Sequence, residues 1–149
     1  MATVSPIVRV LVVEDFKPFR RLICSMLTKM PELQIVGEAS DGLEAVQKAR
    51  ELRPDLILLD IGLPTLDGIE AARRIRALSA ESKLIFVSQQ SNPEVVQEAV
   101  NLGALGYVVK TRIARDLLPS VEAVILGRQF VSPTLALRQA YPNAQDAAL

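Results

Sequence analysis

Five short runs of aliphatic residues, each followed by a longer amphipathic stretch, constrain this chain more than any other feature. The runs IVRVLVV, LQIVGEA, DLILL, KLIFV and LGYVV predict strands over about 7–13, 33–39, 55–59, 83–87 and 105–109. Strands this continuously apolar are covered on both faces, as in a parallel sheet, rather than half exposed. The stretches between them have helical spacing. Phe19, Leu22, Ile23, Met26, Leu27 and Met30 share one face, as do Val95, Val96, Ala99 and Val100, and again Leu117, Leu118, Val121, Val124 and Ile125. Helix signals agree: Pro18 suits a first turn, and Asp41 and Asp67 are each followed three residues on by a Glu. Asn92-Pro93 opens the fourth helix, and Gly103 and Gly127 close the fourth and fifth. Pro119 predicts an irregular start to the fifth. Strand and helix alternating five times predict a doubly wound α/β fold, with right-handed crossovers and helices on both faces of a five-stranded parallel sheet.

The residues that end the strands matter for function. Glu14 and Asp15 follow the first strand, Asp60 the third, Ser88 the fourth and Lys110 the fifth. In an open parallel sheet these ends lie along one edge, where ligands bind at the point of strand-order reversal. Each residue alone has an ordinary explanation. An acidic pair caps a helix, an Asp or Ser forms a turn, and a Lys is solvated. Their joint occurrence at four strand ends is what points to a site. Tyr107 lies inside the fifth strand, where it either packs in the core or acts as a switch. Cys24, on the apolar face of the first helix, is expected in the core.

Composition narrows the chemistry. The chain has 149 residues, a single domain's length, and its 17 basic and 17 acidic residues cancel. No global field attracts nucleic acid or an anionic membrane. No apolar run approaches the roughly 20 residues of a bilayer span, and no signal peptide is evident, so a soluble cytoplasmic protein is expected. One cysteine allows no internal disulfide, and zero histidines exclude Ser-His-Asp and Cys-His activation and His-based metal sites. What is left is carboxylates, hydroxyls, Lys110 and a borrowed cation.

Taken in order, the pair Glu14-Asp15, Asp60 within LLLDIGLPTLDG, Ser88, Tyr107 and Lys110 resemble the receiver domain of bacterial two-component response regulators over about 7–128. DIGLPTLDG, GYVVKT and LGRQFVSP look like the NarL/FixJ-like subfamily. The resemblance implies a flavodoxin-like sheet of order 2-1-3-4-5, with 1–6 as an N-terminal tail, 7–128 as the receiver and 129–149 as a linker or tail. It also implies that Asp60 accepts a phosphoryl group from a sensor histidine kinase, assisted by Lys110 and Ser88. The residues support this chemistry independently. An aspartate at a strand end is an oxygen nucleophile, and three carboxylates select a hard cation such as Mg²⁺. Asp15, Asp60 and the Gly62 carbonyl are the expected direct ligands, with Glu14 acting through water. Ser88 and Tyr107 form the expected switch, reporting to the face made by the fourth helix, fifth strand and fifth helix. Serine at 88, Gln89 beside it and Thr111 in place of a proline depart from commoner receiver patterns.

Other classes fit less well. A dinucleotide enzyme needs a glycine-rich turn after the first strand, where this chain has EDFKPF. A haloacid-dehalogenase-like phosphatase carries a second Asp two residues after the nucleophile, and here that position is Gly62. Conventional enzymatic turnover is therefore not expected. The residues after Pro133 are too few for a helix-turn-helix, so direct DNA binding is not expected either. The receiver part of a transcriptional regulator is the favoured reading. A stand-alone receiver acting on protein partners is the alternative, with a phosphorylation-driven homodimer as a further candidate.

Overall fold

The computed structural model describes residues 6–144. Most of the N-terminal tail expected at 1–6 and the end of the linker or tail expected at 129–149 lie outside the described residues. Six parallel strands form one sheet: β1 (Val8–Val13), β2 (Leu33–Ala39), β3 (Leu56–Leu59), β4 (Lys83–Ser88), β5 (Gly106–Val109) and β6 (Phe130–Val131). Their order is β2-β1-β3-β4-β5-β6. The helices are α1 (Lys17–Leu27), α2 (Gly42–Leu52), α3 (Gly68–Leu78), α4 (Pro93–Asn101), α5 (Ile113–Ile125) and α6 (Leu135–Ala140). Side chains alternate across each strand even where the run is uniformly apolar. Val10 and Val12 face the layer of α1 and α5, while Leu11 and Val13 face that of α2, α3, α4 and α6. The caps follow the predicted chemistry. Asp41, Asp67 and Asn92 each accept the backbone N–H three residues on, from Glu44, Glu70 and Val95. Gly103 closes α4 with φ of +75°, where a side chain would be strained.

Two features correct the sequence reading. The sheet has six strands, not five: Phe130 donates its N–H to the Leu105 carbonyl, and Ser132 donates to that of Tyr107. A two-residue strand has no period to detect, so only its pairing with β5 reveals it. Residues 129–144 also pack rather than trail. Leu137 and Tyr141 are buried in the core beside Val96, Ala99 and Tyr107, and α6 lies against α4. The irregularity expected from Pro119 is not seen: Pro119 lies inside the continuous helix α5, and a separate 3₁₀ turn, Lys110–Arg112, precedes the helix. Cys24 is only partly buried at the margin of its layer.

Candidate functional site

Parallel pairing assembles the site from distant segments. Val13 is level with Ala39 on one side and Leu59 on the other, and Leu59 is level with Phe86. Glu14 and Asp60 extend these ladders: the Glu14 N–H bonds the Ala39 carbonyl at 3.0 Å, and the Asp60 N–H bonds that of Val13 at 3.1 Å. Beyond Asp60 the chain folds back on itself, with the Gly68 N–H on the Ile61 carbonyl at 2.7 Å. A Cβ on Gly68 would lie 1.9 Å from the Asp60 carbonyl oxygen, so only glycine permits this return.

A cleft of about 460 Å³ results, lined by Glu14, Asp15, Asp60, Gly62, Ser88 and Lys110, with Phe16, Phe19, Gln89, Gln90 and Thr111 around them. All five of the strand-end residues expected there are present, together with Gly62. Glu14 and Asp60 are buried, at 1% and 6% exposure, and Asp15 is exposed. One oxygen from each carboxylate lies within 4.8 Å of the others. Lys110 Nζ stands between two of them, 2.6 Å from Glu14 Oε1 and 3.0 Å from Asp60 Oδ2. Lys110 is the one partner of Glu14 Oε1 among the described residues. Phe16 N–H donates to Glu14 Oε2 at 3.0 Å, and Gly62 N–H to Asp60 Oδ1 at 3.3 Å. Burial raises the Glu14 carboxyl above its usual range, against the lowering effect of Lys110 and the Phe16 N–H. Burial alone would lower the Lys110 ammonium, but its contacts with Glu14 and Asp60 prevail and raise it. Three carboxylates with oxygens this close suit a small divalent cation.

Tyr107 does not line the cleft. It is fully buried behind it, 6.0 Å from the Phe86 ring between centroids, and its hydroxyl donates to the Gln90 carbonyl. Ser88 Oγ accepts the Gln90 N–H at 3.0 Å. Both candidate switch residues therefore hold the same loop residue. Burial pushes the Tyr107 phenol well up, partly offset by the neighbouring Ser88 hydroxyl. Gln90 was not singled out in the sequence, nor was Phe19, whose ring centroid lies 4.8 Å from Lys110 Nζ. Phe19 carried a signal only as one more apolar position on the face of α1. Gln90 had none.

The family model of the response regulator receiver domain matches residues 10–122. The chain belongs to that family. Among relatives of this receiver domain is the response regulator GacA of Pseudomonas viridiflava, 33% identical over 138 residues, which are 93% of this chain and 64% of GacA. The receiver thus spans just under two-thirds of that relative's length. Its fold is shared with a LuxR-family two-component response regulator from Aurantimonas sp., with a TM-score of 0.82 at 28% identity, covering 91% of this chain and 96% of the other. The response regulator domain of Thermotoga maritima CheB superposes with a TM-score of 0.73 at 34% identity, over 80% of this chain and 97% of that one. Among the described residues of the receiver, no helix is long and apolar enough to cross a membrane.

Proposed function

We propose that this receiver domain is a phosphorylation-dependent switch whose acceptor is Asp60. The observation that carries the reading is a buried Asp60 carboxylate at a strand end, with Lys110 Nζ 3.0 Å away and two further carboxylates beside it. Asp60 attacks the phosphorus of phosphohistidine on a sensor kinase, or of a small acyl phosphate. A bond forms between phosphorus and the carboxylate oxygen, and the bond to the donor's nitrogen or oxygen breaks, its electron pair leaving with the donor. Water later cleaves the acyl phosphate, releasing inorganic phosphate and restoring the carboxylate. Asp15, Asp60 and the Gly62 carbonyl would hold Mg²⁺, with Glu14 acting through water, and the ion would neutralise charge on the phosphoryl oxygens. Lys110 exchanges its carboxylate contacts for a phosphoryl oxygen, and the Ser88 hydroxyl donates to another. Rotation of Ser88 toward that oxygen gives up the Gln90 N–H, loosening the loop that also holds the Tyr107 hydroxyl. The change is read on the face of α4, β5 and α5, part of which α6 covers.

The output we favour is transcriptional, in line with the likeness to the transcriptional regulatory protein LiaR of Bacillus subtilis, 34% identical over 120 residues, with a cytoplasmic location and without DNA contact by these residues themselves. Dimerisation on phosphorylation is the expected partner mode. Incubation with acetyl phosphate and Mg²⁺ should add one phosphoryl mass, abolished by Asp60→Asn and by EDTA. Persistence of the added mass in Asp60→Asn, or its full appearance in EDTA, would refute the assignment.

A further inference from the structure

Behind the cleft lies a polar cluster that the phosphoryl chemistry does not use. Asp116 in α5 and Ser132, just after β6, are both fully buried. Ser132 Oγ donates to Asp116 Oδ2 at 2.7 Å and accepts the Val109 N–H at 3.0 Å. Arg112 Nε donates to the same Asp116 oxygen at 2.9 Å. Val109 immediately precedes the turn Lys110–Arg112, and Arg112 ends it. One buried hydroxyl–carboxylate pair therefore holds the backbone just before Lys110 and the side chain of Arg112 just after it. This placement matters because a lysine is a flexible four-carbon stem, and its ammonium is positioned only as well as its backbone is. Thr111, within the turn, does not restrict the backbone as a proline would.

We propose that Ser132, through Asp116, is a positioning residue for Lys110, which makes the β6–α6 segment a working part of the phosphoryl site. The proposal rests on the reading of Asp60 as the acceptor. Ser132 meets the Val109 N–H just where the β5 and β6 ladder ends, since the Ser132 N–H already bonds the Tyr107 carbonyl. Removing the hydroxyl leaves a buried N–H without its partner and takes one donor from a buried carboxylate, a combination that drives the turn to rearrange. Lys110 then loses its register with Asp60 and Glu14. The same segment continues into α6, where Leu137 and Tyr141 pack in the core with Tyr107, and Tyr141 donates its hydroxyl to the Ala104 carbonyl at 2.9 Å. Coupling of this kind is reciprocal, so a shift of the Lys110 turn on phosphorylation is also felt by α6.

Ser132→Ala tests the proposal in the whole chain against Ser82→Ala, which removes a buried hydroxyl at the opposite edge of the sheet, bonded to the Pro54 carbonyl at 2.6 Å. Two quantities are followed: the rate of mass gain with acetyl phosphate and Mg²⁺, and the Lys110 side-chain carbon resonance without phosphodonor. Ser132→Ala should be phosphorylated about tenfold more slowly or worse, the scale of a misplaced reacting group, with the Lys110 resonance shifted. Ser82→Ala should keep the wild-type rate and resonance even where its melting point falls. Equal rates in the two variants with an unmoved Lys110 resonance would overturn the proposal. Should Ser132→Ala not fold, Asp116→Asn carries the same expectations. An unphosphorylated wild type refutes the acceptor reading instead, and the Lys110 resonance then decides the positioning role alone.

Discussion

Lys110→Met removes the cation between Glu14 and Asp60 while keeping most of the side chain's bulk. The structure sets the magnitude. Oxygens of the two carboxylates lie within 4.8 Å of each other, and two unit charges at that distance repel by about 3.5 kcal/mol at an effective dielectric near 20. Lys110 is only 13% exposed and its partners are buried, so the screening that makes surface pairs negligible is largely absent. Breaking a buried pair by removing one partner costs roughly 3–5 kcal/mol, and relaxation toward the cleft places this case near the lower end. In a chain of this size about 3 kcal/mol corresponds to a fall of roughly 6–12 °C in Tm. Thermal and urea melts in EDTA measure it. Adding Glu14→Gln to Lys110→Met removes the repulsion and should restore at least about 1.5 kcal/mol, a non-additivity that a double-mutant cycle isolates. Mg²⁺ at a hundredfold excess over its dissociation constant should restore about 2.7 kcal/mol to the single variant. A Lys110→Met protein melting within 2 °C of wild type in EDTA, on the roughly 2–4 °C per kcal/mol scale, would show that the ammonium does not hold these carboxylates together.

Two further outcomes follow from the same geometry. Because burial raises Glu14 above its ordinary value of 4.5, the folded chain binds that proton more tightly than the unfolded one, and metal-free stability falls as pH rises from about 4.5 through the raised folded value. The Lys110 ammonium, raised above 10.5, stays protonated throughout that window and adds no slope of its own. Glu14→Gln should remove this part of the pH dependence, and a stability difference between wild type and Glu14→Gln that stays flat with pH in urea titrations would contradict it. Gly68→Ala forces a Cβ to within 1.9 Å of the Asp60 carbonyl oxygen. It should cost about 3 kcal/mol or more by overpacking and slow phosphorylation by displacing Asp60, whereas a variant with the wild-type melting point and rate would count against the close return of the loop.

Much of this architecture was legible because it is written in local chemistry. Aliphatic runs of four to seven residues became β1 to β5, and the Asp-Gly-x-Glu segments at Asp41 and Asp67 became capped helix starts. Parallel topology then required Glu14, Asp15, Asp60, Ser88 and Lys110 to share one edge, so the membership of the cleft followed from chain order alone. Tertiary structure decided the partnerships. Nothing near position 110 indicates that its ammonium rests on Glu14 and Asp60, or that Phe19 lies beside it, since those residues are brought together only by the sheet and by α1. Tyr107 gives equal grounds for core and switch in the sequence, and only the fold shows that it is buried with its hydroxyl on the Gln90 carbonyl. The sixth strand and Ser132 were illegible for the same reason. Two residues carry no periodicity and a serine near a proline reads as a turn, and only pairing with β5 turns that segment into the buried hydroxyl behind Lys110. Periodicity and caps are properties of neighbours in sequence, whereas charge neutralisation and hydrogen-bond satisfaction in a buried site depend on which distant groups the fold leaves within about 3 Å.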